Sequence, residues 1–126
     1  VITARLIFNR TGDLSQRVRR RVWNAIRETA SEVEQDVKGG PHSLYRAYPE
    51  TPRYRRTGNL GRSYHVEFDE HALRAVVASD PGIAPYAAYV ELGTENMPAK
   101  PHLGPSVEAV RERWERRMRE AVDDAV

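Results

Sequence analysis

The sequence predicts an α+β fold: a small, mostly antiparallel sheet with two long helices packed on one face, and a long basic loop. Three patterns predict it. Residues 2–8 alternate apolar and polar, as a half-buried strand does. Two segments, about 14–38 and 105–125, repeat apolar residues every three or four positions, as amphipathic helices do. Residues 63–79 hold two alternating runs around a short turn, as a hairpin does.

In the first strand, Ile2, Ala4, Leu6 and Phe8 share a face, and Asn9-Arg10-Thr11-Gly12 reads as a turn. Asp13 is placed to cap the first helix, with Gln16 completing a capping box. Leu14, Val18, Val22, Ala25, Ile26, Thr29, Val33 and Val37 form its apolar stripe, and Gly39-Gly40-Pro41 ends it. Arg17, Arg19, Arg20, Arg21 and Arg27 fill its first half, and Glu28, Glu32, Glu34 and Asp36 its second. That order opposes the helix dipole, so it points to partners beyond the helix itself.

Residues 39–62 read as a long irregular loop. Tyr45, Tyr48 and Tyr54 interleave there with Arg46, Arg53, Arg55, Arg56 and Arg62, and Glu50 is the one acid. Pro49 and Pro52 suit neither a helix interior nor a strand interior. In the hairpin, Tyr64, Val66 and Phe68 oppose His65 and Glu67, Glu70-His71 makes the turn, and Ala72 to Ser79 returns. A short helix is expected over Ala84–Leu92, stopped by Gly93, then a loop carrying Pro98 and Pro101. The last helix starts near Pro105, with Val107, Val110, Trp114, Met118, Ala121, Val122 and Ala125 on its apolar stripe.

The 126 residues read as a single domain, 1–126, without internal repeats. Apolar content of 40% leaves room for surface that is buried only on assembly. The absence of Cys excludes disulfides, thiol catalysis and zinc–thiolate sites. No apolar run is long enough for a membrane span, and Val1-Ile2-Thr3-Ala4-Arg5 does not read as a secretory leader. Charge is split along the chain. Residues 1–62 carry 13 basic and 6 acidic side chains, and residues 63–126 carry 7 basic and 12 acidic. A positive half and a negative half favour head-to-tail self-association.

The residues offer little chemistry. His42, His65, His71 and His102 lack metal-ligand spacing, although His65 and His71 flank the hairpin turn. Glu67, Asp69 and Glu70 cluster at a turn, where solvation is the default. Gly58-Asn59-Leu60-Gly61 lacks the following Lys-Ser or Lys-Thr of a phosphate loop. No catalytic residue, cofactor or metal is therefore expected. The Arg/Tyr-rich loop has two readings: a nucleic-acid surface, or a protein interface in which Tyr and Arg act as anchors.

Three blocks carry a resemblance. They are Thr57-Gly58-Asn59-Leu60-Gly61-Arg62-Ser63, Tyr86-Ala87-Ala88-Tyr89-Val90-Glu91-Leu92-Gly93-Thr94, and Met97-Pro98-Ala99-Lys100-Pro101-His102-Leu103-Gly104-Pro105. Set between an amphipathic helix and a closing helix, they resemble the tail-completion, or head–tail joining, family of long-tailed bacteriophages, which includes minor tail protein Z-like proteins. In that family the blocks read roughly T-G-x-L-x-x-S, Y-A-x-Y-V-E-x-G-T and M-P-A-x-P-F-L-x-P. This chain departs with His102 for the usual Phe and Gly104 for a common Arg. The likeness spans about residues 14–125, and the basic 41–56 stretch matches least well.

The resemblance implies a non-enzymatic structural protein of the virion, made in the host cytoplasm and placed in the neck at the head–tail junction. It implies a homo-oligomeric ring, expected to be six-fold, between the head connector or stopper and the tail tube or terminator. Genomic DNA passing through such a ring would be a passive contact. The interface expected on these grounds comprises Tyr45, Arg46, Tyr48, Arg53, Tyr54, Arg55, Arg56, Thr57, Gly58 and Leu60. It continues in Tyr86, Tyr89, Glu91, Gly93, Thr94, Met97, Pro98, Pro101 and His102. The alternatives are a tail terminator capping the tube and, in another class, a basic nucleic-acid-binding module.

Overall fold

A computed structural model describes residues 2–7, 15–48 and 57–123. The element order is β1 (Thr3–Ile7), α1 (Gln16–Gly39), α2 (Leu44–Ala47), α3 (Asn59–Ser63), β2 (Tyr64–Asp69), β3 (Arg74–Ser79), α4 (Ala87–Leu92) and α5 (Leu103–Asp123). The three strands form one antiparallel sheet in the order β1-β3-β2. The α+β class read from the sequence is what the chain adopts.

Register fixes the two sheet faces. Ala4 lies opposite Val77, which in turn lies opposite Val66; Leu6, Ala75 and Phe68 make the next row. Strand side chains alternate between faces, so these rows point toward α1. The other face carries Arg5, Val76 and Glu67 in one row, and Ile7, Arg74 and Asp69 in another. The hairpin turn places Leu73 at φ +50 with its side chain fully buried. A leucine in the left-handed region costs free energy, which the burial of its side chain offsets. Asp69 Oδ1 accepts the Ala72 N–H at 3.1 Å, which tightens the same turn.

The stripe on α1 is buried as expected from Val18 to Val37, and Trp23 and Ala30 join it. The cap differs. Ser15, not Asp13, stands at the N-cap, its side-chain oxygen accepting the Val18 N–H at 3.3 Å. Asp13, Leu14, Phe8, the expected turn at 9–12 and Ala125 lie outside the described residues. The 39–62 stretch is not wholly irregular. Two short helices, α2 and α3, sit within it, and Ser43 caps α2 by accepting from the Arg46 N–H.

The helix α1 covers the sheet, and α5 packs chiefly along α1. The ion pairs between them account for two of the four acids in the second half of α1, Glu28 and Glu32. Arg117 donates to both Glu32 carboxylate oxygens, at 2.6 and 3.1 Å, and to Glu28 at 3.2 Å and Thr29 Oγ1 at 3.0 Å. Arg113 adds a bond to Glu32 at 3.3 Å. The hydrogen bond from Arg117 holds the Glu32 carboxyl below its ordinary range, and the same bond raises the Arg117 guanidinium. Glu28 and Glu32 therefore serve a neighbouring helix rather than the helix dipole, while Glu34 pairs with Lys38 and Asp36 with His42 at the end of α1 itself. On α5, Val110 and Ala121 are buried, Val107, Trp114 and Met118 are half-buried, and Val122 is exposed.

Candidate functional site

The second and third sequence blocks fold into one unit at the start of α5. Glu91, near the end of α4, is only 8% exposed. Its carboxylate accepts the backbone N–H groups of His102 at 2.8 Å, Leu103 at 3.0 Å and Gly104 at 2.9 Å. These are donors that the first turn of a helix leaves without partners, and a carboxylate there also meets the positive end of the dipole. Burial pushes the Glu91 carboxyl up, but bonds from the His102 ring and the three N–H groups outweigh it, and its pKa falls to about 2.

His102 is fully buried. Its Nδ1 lies 3.0 Å from Glu91 Oε2 and 3.0 Å from the Lys100 carbonyl, so two acceptors face that nitrogen and place a proton on it. Its Nε2 meets the Tyr64 hydroxyl at 2.6 Å, and the two rings pack edge to face with centroids 5.7 Å apart. Burial, with the Glu91 charge second, pushes the Tyr64 hydroxyl pKa well up. Where the resembled family carries Phe, this chain keeps a buried ring and gives it polar partners.

Between these anchors the chain turns back on itself. Gly93 has φ +78 and ψ 171, a region open essentially to glycine alone. A Cβ there would sit 2.7 Å from the Ala99 nitrogen and 3.1 Å from the Met97 carbonyl oxygen. Thr94 and Met97 exchange backbone hydrogen bonds, and the Lys100 N–H donates to the Val90 carbonyl. The proline loop is thus folded onto the end of α4.

The first block builds a corner. Gly58 is left-handed at φ +83, Leu60 is 3% exposed, and the buried Ser63 hydroxyl donates to the Leu60 carbonyl at 2.6 Å. Gly61 donates its N–H to the Tyr45 hydroxyl at 2.8 Å; a Cβ there would meet Tyr45 at 2.8 Å and the Lys38 carbonyl at 3.0 Å. Arg62 donates to the Thr57 carbonyl and to Asn59 Oδ1.

These positions sort the expected interface. Leu60, Glu91 and His102 are buried and hold the frame, so they offer no contact surface on this chain. Tyr48 and Met97 are half-buried against the core, and Tyr45 and Gly93 are half-buried in close packing. Arg46, Thr57, Tyr86, Tyr89, Thr94, Pro98 and Pro101 are exposed, and Gly58 is partly so. Arg53, Tyr54, Arg55 and Arg56 lie outside the described residues.

Two hollows gather the surface. Tyr45 and Gly58 share one of about 630 Å3 with Ile83, which is itself exposed. The other is a groove of about 720 Å3 between the edge strand β1 and α5, floored by Ile2, Ala4, Leu6, Val107 and Trp114, with Leu92 at its end. Beside it, α4 projects Tyr89, 61% exposed, and Leu92, 73% exposed. Sequence reasoning missed Leu92 and Ile83. The signal for Leu92 was present, since Tyr86, Tyr89 and Leu92 recur every three residues, away from buried Ala87 and Val90.

Among the described residues, no three His, Asp or Glu side chains group as a metal site, and no helix is long and apolar enough to cross a membrane. His65 sits opposite Ala78 on β2 while His71 is in the turn, so the hairpin keeps them apart. The Glu67 carboxylate bonds the His65 ring at 3.1 Å and raises its pKa. Comparison with family models, with curated proteins and with solved structures found no match.

Proposed function

We propose that this chain is a structural subunit of a phage neck, forming a ring that joins the head connector to the tail tube. The observation that carries the reading is the presence of two unlike surfaces on one chain. Tyr86 and Tyr89 stand out at α4, and an open groove with an apolar floor, lined also by Arg5, Glu108, Arg111 and Glu115 and reached by Leu92, runs between β1 and α5. Unlike patches that meet head to tail generate closed rings when the rotation closes. The rigid unit of Glu91, Gly93 and His102 sets the angle between projection and groove, which a ring of fixed size requires. Support also comes from the three sequence blocks and from the +7 and −5 charge halves.

Light scattering at low and physiological salt tests this reading. A discrete ring near six subunits, loosened by salt, is expected. A chain that stays monomeric alone and also on added tail tubes overturns it. The tail-terminator alternative is separated by binding to tubes in the absence of connector.

A further inference from the structure

We propose that the contact between subunits includes strand pairing: the free edge of β1 joins the free edge of β2 on a second copy, in parallel, with Arg5 opposite Glu67. The inference rests on the ring reading and names the backbone contact that closes the ring. The order β1-β3-β2 leaves one unpaired edge on each side of the sheet. Two unlike edges on opposite sides meet head to tail, the arrangement that a ring repeats. Neither strand carries a proline, and both registers run without a bulge, so neither edge is bent away from a further strand.

The free backbone groups set the direction and register of the joint. The Ser79 N–H donates to the Ile2 carbonyl at 3.2 Å, and the Asp80 N–H to the Ser63 carbonyl at 2.8 Å. Backbone groups alternate sides along a strand. Those of Thr3 and Arg5 therefore point out from β1, and those of Val66 and Phe68 out from β2. Both strands run antiparallel to β3, hence parallel to each other, and rotation about an axis along the strands keeps that sense. In a parallel pair a residue bonds the two that flank its opposite. With Arg5 opposite Glu67, the Arg5 N–H donates to the Val66 carbonyl and the Arg5 carbonyl accepts the Phe68 N–H. An antiparallel joint through the same groups would set the second copy's helices on the opposite face of the sheet.

The side chains at the two edges are complementary in this register. On the outer face, Arg5 is exposed and has no ion pair among the described residues, and Glu67 is exposed with only His65 of its own strand at 3.1 Å. The joint sets these opposite charges side by side. On the inner face it sets Ala4 beside Val66, both half-buried, and half-buried Leu6 beside Phe68, which is 48% exposed. Ala4 and Leu6 also floor the groove under α5, so the second copy's Phe68 meets its open side. Tyr64, which starts β2, bonds His102, and Glu91 of α4 holds His102, so strand edge and α4 projection arrive as one piece. Two helices side by side span about 20 Å against about 14 Å for three strands, so repeated subunits curve with the helices outside.

The chain has no Cys, so engineered cysteines report without background. Arg5→Cys and Glu67→Cys variants are mixed, alone and on added tail tubes, and oxidised. Within one subunit Val76 stands between the two positions, which leaves them about 10 Å apart and beyond disulfide reach, so the bond reports two copies. A disulfide heterodimer is expected as the main product. Arg5→Cys with Asp69→Cys, displaced by about 7 Å along the strand, is expected to give less than about a tenth as much. Arg5→Glu is expected to weaken association about five-fold or more, and Arg5→Glu/Glu67→Arg to restore it to within about two-fold of wild type. Melting curves under reducing conditions confirm that the variants fold. A wild-type ring with no Arg5–Glu67 crosslink, with equal crosslinking at Asp69, or with no recovery on charge exchange overturns the strand pairing and leaves the ring standing. A wild-type chain that stays monomeric alone and on tail tubes overturns both.

Discussion

The Glu91 carboxylate takes the backbone N–H of His102 at 2.8 Å while the His102 ring nitrogen lies 3.0 Å from the same oxygen. One acid thus closes the end of one helix onto the start of another. The elements it joins carry the two surfaces proposed to meet between subunits.

The ionised state of Glu91 is part of the fold. Its folded pKa of about 2 lies below the ordinary 4.5, so its contribution is fully present above pH 4.5 and is lost as pH falls toward 2. Linkage over that interval is worth roughly 3 kcal/mol. Glu91→Gln is expected to lower unfolding free energy at neutral pH by about 2–3 kcal/mol and to remove this part of the acid sensitivity. Urea denaturation of both proteins from pH 7 to 2.5 reads the difference directly. Equal pH slopes would show that Glu91 does not act as its geometry indicates.

Gly93→Ala places a methyl against the Ala99 backbone at a φ and ψ open only to glycine. It is expected to cost about 2–3 kcal/mol. Gly39→Ala is the control, because its Cβ would meet nothing within 4 Å. That variant is expected to stay within about 0.5 kcal/mol of wild type in chemical denaturation.

Arg117 holds α5 to α1 through a two-point contact with Glu32. Lysine keeps the charge but not the fork, so Arg117→Lys is expected to destabilise by about 1 kcal/mol. A double-mutant cycle of Arg117→Met with Glu32→Gln is expected to give a coupling of about 1 kcal/mol, reduced by salt. A coupling near zero would leave α1–α5 packing to apolar contacts alone.

Much of the frame was legible because it rests on period. Val18 to Val37 lie on one helical face, so their burial follows from spacing; on β2 the same alternation buries Tyr64, half-buries Val66 and leaves Phe68 48% exposed, at the end of the strand where the cover of α1 runs out. Helix ends were less legible: Asp13 and Ser15 are both good caps, and backbone geometry chooses Ser15. Leu44–Ala47 and Asn59–Ser63 are too short to show a period among glycines and prolines. The site was legible as a location but not in its roles. Glu91 reads as a surface charge on a short helix, yet its partners lie 11 to 13 residues onward, where no local spacing reports them. His102 similarly finds Tyr64 across 38 residues.

The exposed α4 side chains contribute little to the isolated fold. Tyr89→Asp is expected to leave unfolding free energy within about 0.5 kcal/mol of wild type while abolishing self-association. Thermal melts beside sedimentation separate the two effects, and association that survives Tyr89→Asp would move the interface off α4.

The most direct test of a ring built from two unlike patches is the mass of mixed variants. Tyr89→Asp removes the projection, and Val107→Asp blocks the groove of about 720 Å3. Native mass spectrometry is expected to show a closed ring for wild type and a monomer for each variant alone. Their mixture is expected to give a discrete heterodimer, because one intact projection still meets one intact groove. Wild type that stays monomeric on added tail tubes, or variants whose mixture remains monomeric, would contradict the head-to-tail ring.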